Sequence, residues 1–360
     1  MGNKLKYSDL KIFNYKNKIN SVSKNNSKIE APLHIRIKPT NICNHSCWYC
    51  SYQSLDNIQL GKDMILKDMI PRDKMIEVID DCIDMGVEAI TFSGGGEPFI
   101  YPHFLEIIEK LSASNIKFSS LTNGSGLKGK VADIFAKYGT WLRVSIDGWD
   151  DESYAKYRNI KVGEFSKIIE NMRNFANIKD RKCNLGISFV VDNKNYKQIY
   201  NFSKYMKEIG IDSIKIAPCV VANNANENNN YHNPFYEEAK NLSMKVKNEL
   251  EDDSFEVFDS YHLLEDKFKK DYDWCPYAQI NPVIGADMNI YTCHDKAYNI
   301  DKGNLGSIKD KSFKDVWMNN KNKFFDVNPS IDCNHHCAVN EKNKMIIEYL
   351  SLDNNHIGFV

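Results

Sequence analysis

Residues 33–52 read LHIRIKPTNICNHSCWYCSY. The first eight alternate in apolar character and carry β-branched isoleucines, which predicts a β-strand over 33–40. That strand leads straight into Cys43, Cys47 and Cys50, spaced C-x3-C-x2-C. Three thiolates so close in sequence can converge on one side of a single loop, and thiolates suit zinc or iron–sulfur clusters. A closed site of either kind takes four protein ligands, and only three thiols are local. Two readings follow. In one, His45 is the fourth ligand of a zinc knuckle, which requires a short loop to turn neighbouring ligands inward. In the other, the loop holds a four-iron cluster with one iron open to an outside ligand, and an open iron is reactive.

Outward from this stretch, strand-like and helix-like runs alternate. Strands are expected at 33–40, 89–98, 116–125, 141–148, 183–193 and 211–218. Helices are expected at 71–86, 103–115, 129–139, 151–158, 164–178 and 196–210. Such alternation argues for a parallel sheet covered by helices, with six units where a full barrel has eight. Working residues of such sheets sit at the C-terminal strand ends. The cysteine loop, the GGGEP run at 94–98, Thr122–Asn123 and Ser145–Asp147 all fall there.

The chain divides into a Lys/Asn-rich extension (1–31), the alternating region (32–221), a linker with a connecting helix (222–270), a second small unit (271–340), and a terminal helix and tail (341–360). The linker opens on ANNANENNNYH at 222–232, a polar low-complexity run. The second unit contains QINPVIGADMNIYTC at 279–293, a hairpin with Gly285-Ala286-Asp287 at its turn.

Over 360 residues, 47 Lys and Arg face 48 Asp and Glu, a net charge of −1. That balance argues against a strongly basic nucleic-acid binder. No apolar run approaches the roughly 18 residues of a membrane span, and the N-terminus lacks an apolar signal core. A cytoplasmic, disulfide-free protein is expected, so the ten cysteines need another role. Cys82, Cys183 and Cys219 have no ligand-spaced partner and read as buried thiols. Cys275, Cys293, Cys333 and Cys337 remain as a C-terminal set.

The C-x3-C-x2-C run after a first strand, with Tyr49 just before the third cysteine, resembles the signature of radical S-adenosylmethionine (SAM) enzymes, and the context matches over residues 33–218. The resemblance implies an α/β fold: a partial (β/α)6 barrel with a small C-terminal α+β auxiliary-cluster domain. It implies that Cys43, Cys47 and Cys50 hold a [4Fe-4S] cluster whose open iron binds the amino and carboxylate groups of SAM. The SGGGEP run is similar to the family's glycine-rich motif, so Gly95, Gly96 and Glu97 would meet the cofactor's amino group. Glycines there let the backbone come close, and a carboxylate gives a charge-assisted bond to an ammonium. By the same resemblance Asn123, Ser145 and Asp147 face the ribose or methionine, and Tyr49 lies near the adenine. The run at 183–193 and Ala217-Pro218 would line the adenine side.

The C-terminal cysteines, with the hairpin and GNLGSIKDKSFKDVW at 303–317, resemble the twitch form of the SPASM module. This implies one auxiliary [4Fe-4S] cluster on Cys275, Cys293, Cys333 and Cys337. The last pair is C-x3-C where C-x2-C is usual, with His335 and His336 between. Zinc on the same four cysteines is the alternative.

The implied activity starts with an electron from a reductase such as flavodoxin or ferredoxin. Cleavage of SAM then gives a 5′-deoxyadenosyl radical that takes a substrate hydrogen. A closed auxiliary cluster suits electron acceptance, so the first expectation is an oxidoreductase: a dehydrogenase acting on a small polyol, cyclitol or (amino)sugar. The alternative is a peptide- or protein-modifying maturase, weakened by the short segment before the first strand. A non-catalytic metal-binding module is the third reading. Arg143, Arg158, His232 and Cys219 are further polar or thiol candidates near strand ends.

Overall fold

The computed structural model describes residues 8–52, 61–261, 268–353 and 355–359. The parts of the expected extension, connecting segment and tail at 1–7, 262–267, 354 and 360 lie outside them.

Ten strands make one sheet: β1 (His34–Ile37), β2 (Ala89–Phe92), β3 (Lys117–Thr122), β4 (Trp141–Ile146), β5 (Asn184–Val191), β6 (Ser213–Pro218), β7 (Glu256–Asp259), β8 (Val283–Ile284), β9 (Asn289–Tyr291) and β10 (Asn304–Ser307). The order is β10-β9-β8-β1-β2-β3-β4-β5-β6-β7. Every pairing from β8 through β1 to β7 is parallel, and β8–β9 and β9–β10 are antiparallel. This is the expected α/β class, a partial barrel.

Alternation places the strands. In β4, Leu142, Val144 and Ile146 are fully buried, while Trp141, Arg143 and Ser145 take the other face. The buried face packs under helices such as Arg72–Asp84 and Glu164–Ala176, whose inner stripes are Met75, Val78, Ile79 and Cys82, and Phe165, Ile168, Ile169 and Met172. Each such apolar side chain contributes about 1.5–3 kcal/mol on burial. Cys82, Cys183 and Cys219 are buried as expected.

The structure corrects the sequence in three places. Residues Ala225–His232 form a helix rather than a low-complexity linker. Asn224 caps it by accepting from the Glu227 backbone N–H, and buried Asn228 bonds the Val221 N–H and the Ala222 and Asn224 carbonyls. The asparagines therefore supply local hydrogen bonds that a compositional reading counts as disorder. Second, a seventh parallel strand, β7, follows the helix Tyr236–Leu250. Third, β8 of the expected hairpin joins the free edge of β1. The N–H groups of His34, Arg36 and Lys38 donate to the carbonyls of Ile280, Pro282 and Ile284 at 3.0, 3.0 and 2.8 Å. Among the described residues no helix is long and apolar enough to cross a membrane.

Candidate functional site

The loop after β1 is pinned from two sides. On one, Asn41 N–H donates to the Asp68 carbonyl at 2.9 Å and Thr40 bridges Met69. On the other, Ser46 N–H donates to the Arg158 carbonyl at 2.9 Å and Trp48 N–H to the Tyr157 carbonyl at 3.3 Å. Tyr157 and Arg158 end a helix that starts on a capping box between Asp150 and Ser153 and stops at left-handed Asn159. The cysteine loop thus rests on a helix end whose position the sequence specifies.

Cys43, Cys47 and Cys50 are half-buried on this loop. Burial pushes the Cys43 thiol up to about 11 and the Cys47 thiol up to about 12, with Arg158 opposing in both cases. Cys47 feels the charge of both other thiols. His45 is buried, its ring edge-on to Tyr154 at 6.0 Å. Among the described residues no three or more His, Cys, Asp or Glu are arranged to hold a single metal ion. His45 and the three cysteines are thus not drawn together around one point. A tetrahedral zinc at about 2.3 Å from each sulfur draws its ligands together, whereas a four-iron cube holds them wider apart.

The SGGGEP run lies alongside. Gly96 N–H donates to the Thr40 carbonyl at 2.9 Å and Glu97 N–H to the Ile42 carbonyl at 3.0 Å. A Cβ on Gly96 would collide with the Ile42 carbonyl. Gly95 has φ +104°, and a Cβ there would meet the Asn41 side chain. Glu97 is buried, and its carboxylate accepts from Thr122 Oγ1 at 2.6 Å, Asn123 N–H at 2.7 Å and Phe99 N–H at 3.1 Å. Burial raises its pKa, and those three bonds oppose the rise. Much of its acceptor capacity is thus used inside the protein, joining β2 to β3. Asn123 Nδ2 donates to Asn44 Oδ1 at 2.8 Å, tying β3 to the cysteine loop.

At the end of β4, Asp147 Oδ1 accepts from Arg158 Nε at 2.9 Å, with both side chains almost fully buried. Arg158 Nη2 also donates to the Ser145 carbonyl at 2.9 Å. The guanidinium lies 5.9 Å from the Tyr49 ring centre and 5.1 Å from that of Tyr154. The Tyr49 hydroxyl sits beside Asp147, yet neither it nor Asp147 Oδ2 completes a well-formed hydrogen bond. These are buried polar atoms with capacity left over next to the cysteine loop.

The four C-terminal cysteines lie close enough to feel one another's charge. Burial pushes the Cys293 thiol up, with Asp295, Cys275, Cys333 and Cys337 acting in the same direction. Asn343 Nδ2 donates to Cys275 Sγ at 3.3 Å. His335 Nε2 stands 3.9 Å from Asp295 Oδ2, and His336 packs on Phe268.

One residue that sequence reasoning passed over joins the two cysteine sets. Lys38 is fully buried at the end of β1. Its Nζ donates to Tyr52 Oη at 2.8 Å and to the Gly94 carbonyl, and lies 3.3 Å from His294 Nδ1. Tyr52 follows Cys50 by two residues, and His294 follows Cys293 directly. Burial lowers the Lys38 pKa, Arg36 lowers it further, and Asp295, Cys50 and Cys293 oppose. Its signal in sequence was a third polar residue on one face of β1, after His34 and Arg36. His232, by contrast, is buried between Tyr261 Oη at 2.9 Å and the Cys219 carbonyl at 2.8 Å, and Cys219 is buried with it.

Comparison with known proteins places these features. The radical SAM superfamily pattern matches residues 37–206. A cysteine-type anaerobic sulfatase-maturating enzyme of Clostridium novyi is 26% identical over 313 residues, covering 81% of each chain. An S-adenosylmethionine-dependent nucleotide dehydratase of Lacinutrix mariniflava is 33% identical over 125 residues, 34% of this chain and 24% of its own. In fold, the chain is similar to Streptococcus suis SuiB bound to precursor peptide SuiA. That likeness has a TM-score of 0.56 at 16% identity, over 88% of this chain and 72% of SuiB.

Proposed function

Because this chain belongs to the radical SAM superfamily, we propose that it is an enzyme that modifies a side chain of a peptide or protein. Cys43, Cys47 and Cys50 are the proposed ligands of a [4Fe-4S] cluster that binds SAM, and Cys275, Cys293, Cys333 and Cys337 those of an auxiliary cluster. The observation that carries the substrate class is the extent of the match to the sulfatase-maturating enzyme. It runs over 81% of both chains, well beyond the barrel, while the match to the nucleotide dehydratase covers 34% of this chain. Oxidation of a small polyol, the first expectation from sequence, has no support among these relatives and yields to its alternative.

The residues fit such cofactors. The three thiols share a loop with fixed ends, the bare backbone of Gly95 and Gly96 leaves room for a close neighbour, and the Tyr49 hydroxyl and Asp147 Oδ2 have bonding capacity to spare. When bound, cluster and SAM supply the one-electron chemistry that removes a hydrogen atom from an unactivated carbon. The chain supplies position. Arg158 and the helix end behind it fix the loop, and Lys38 holds Tyr52 and His294 between the two thiol sets. The barrel wall keeps water from the reacting group. A flavodoxin or ferredoxin is the proposed electron donor.

The test is anaerobic reconstitution, then incubation with dithionite, SAM and peptides carrying Cys or Ser. 5′-Deoxyadenosine with a matching peptide mass shift is expected. An iron-replete protein that responds to polyols or amino sugars and leaves peptides unchanged would overturn the reading.

A further inference from the structure

The barrel has a cavity at the end away from the cysteine loop. It is about 850 Å³ in volume and opens among the N-terminal ends of β1 to β6, beside Ser8–Tyr15 and the helix Asn340–Leu350. In barrels of this kind that end serves stability, and the chemistry sits at the other. The lining is nonetheless charged in one sense. Seven Lys or Arg and three Asp or Glu border it, in a chain of net charge −1. Two of the three acids are already committed. Asp9 pairs with Lys342 at 3.3 Å, and Asp212 grips Arg181 through both oxygens.

Arg36 belongs to this lining, and its charge also reaches buried Asp295, whose pKa it lowers against the rise that burial causes. It shares the inner face of β1 with His34, one step below buried Lys38. Among the described residues its guanidinium has no carboxylate within ion-pair distance. His34 adds no charge, since burial, then Arg36 and Lys342, push its pKa down to about 3. It bonds Thr91 Oγ1 at 2.8 Å, and Thr91 bonds Ser119 at 2.7 Å, a polar rung across three strands. The opposite wall carries one large aromatic ring. Trp141 faces the cavity with the Arg143 guanidinium 5.7 Å from its ring centre, and Ser119 stands next to it on the same face of the sheet.

We propose that this basal cavity is a binding site for an organic anion, a carboxylate or phosphate on an aromatic or apolar body. Arg36 takes the anionic group, in the two-pronged manner guanidinium allows for both anions. Trp141 takes the body. The site opens at the other end of the barrel from the cysteine loop, although the charge of Arg36 also reaches Lys38, His294 and Asp295, and it does not depend on which substrate is modified.

Titration calorimetry on the reconstituted full chain tests this with three probes of one shape: 1-naphthyl phosphate, 1-naphthoate and neutral 1-naphthamide. At least one anion should bind about tenfold or more tightly than the amide, and the tighter one names the group the site prefers. The R36Q variant should erase that ratio and leave SAM affinity unchanged. Trp141→Leu should weaken all three probes. Should R36Q fail to fold, salt on the native chain asks the same question. Raising salt from about 0.1 M to about 1 M, where the screening length drops from about 10 to about 3 Å, should weaken the anions alone. Equal binding of all three probes, or a ratio indifferent to both Arg36 and salt, would falsify the site.

Discussion

Arg158 Nε lies 2.9 Å from Asp147 Oδ1, and neither side chain reaches solvent to any useful extent. The same residue's carbonyl receives the Ser46 N–H of the cysteine loop. Truncating one partner of a buried pair leaves the other charged and unsolvated, at a cost of about 3–5 kcal/mol. R158M should therefore lower the urea midpoint of the cluster-free chain sharply. The double change R158M with D147N should recover part of the loss, because it removes the stranded charge.

Gly96 admits no side chain without displacing the Ile42 carbonyl. G96A should shift the cysteine loop and reduce iron retained after reconstitution. C-terminal iron should stay, so total iron should fall toward the value seen when Cys43, Cys47 and Cys50 are all replaced by Ala. If both sets carry four-iron clusters, that value is about four per chain against about eight in the parent. Iron analysis on desalted protein reads both variants.

Burial raises the thiols of Cys43 and Cys333 to about 11 and those of Cys47 and Cys337 to about 12. An acid whose folded pKa is raised contributes stability that is complete below the unfolded value, near 9, and is lost as pH climbs toward the folded one. The cluster-free chain should thus melt at lower temperature at pH 10 than at pH 8. Ligated thiolates carry no proton, so the reconstituted chain should show a flatter profile. Thermal melts at both pH values, with and without iron, decide it.

Lys38 holds Tyr52 and His294 in one hydrogen-bonded group between the two thiol sets. K38M should leave iron content intact and reduce 5′-deoxyadenosine formation by about 10²-fold, the scale of a misplacement near reacting atoms. K38R should restore part of the rate, since it keeps a donor at the same depth. Equal iron with an unchanged rate in K38M would show Lys38 to be a packing residue only.

Much of this could be read in the linear chain because alternation and motif agreed. The strands at 34–37, 89–92, 117–122, 141–146, 184–191 and 213–218 fall inside their expected spans, and the polar residues after them stand at one end of the sheet. What stayed hidden has physical reasons. β8 is two residues long and gains meaning only from its pairing with β1. Ala225–His232 owes its helix to capping and to buried Asn228, which composition does not weigh. Arg158 looked like any polar residue near a strand end, because its partner Asp147 lies on another element. Lys38 sat inside the expected strand, but a polar residue at an alternating position reads as solvent-facing until the strand's inner face is known to be buried.

The pairing of β1 with β8 also sets an order in time. Cys43, Cys47 and Cys50 are made well before Val283 and Ile284, so the strand that feeds their loop keeps one edge unpaired until those two residues have left the ribosome. A nascent chain therefore presents these thiols on a half-anchored strand until then. A product stalled before residue 283 would leave the three thiols on a strand paired along one side only.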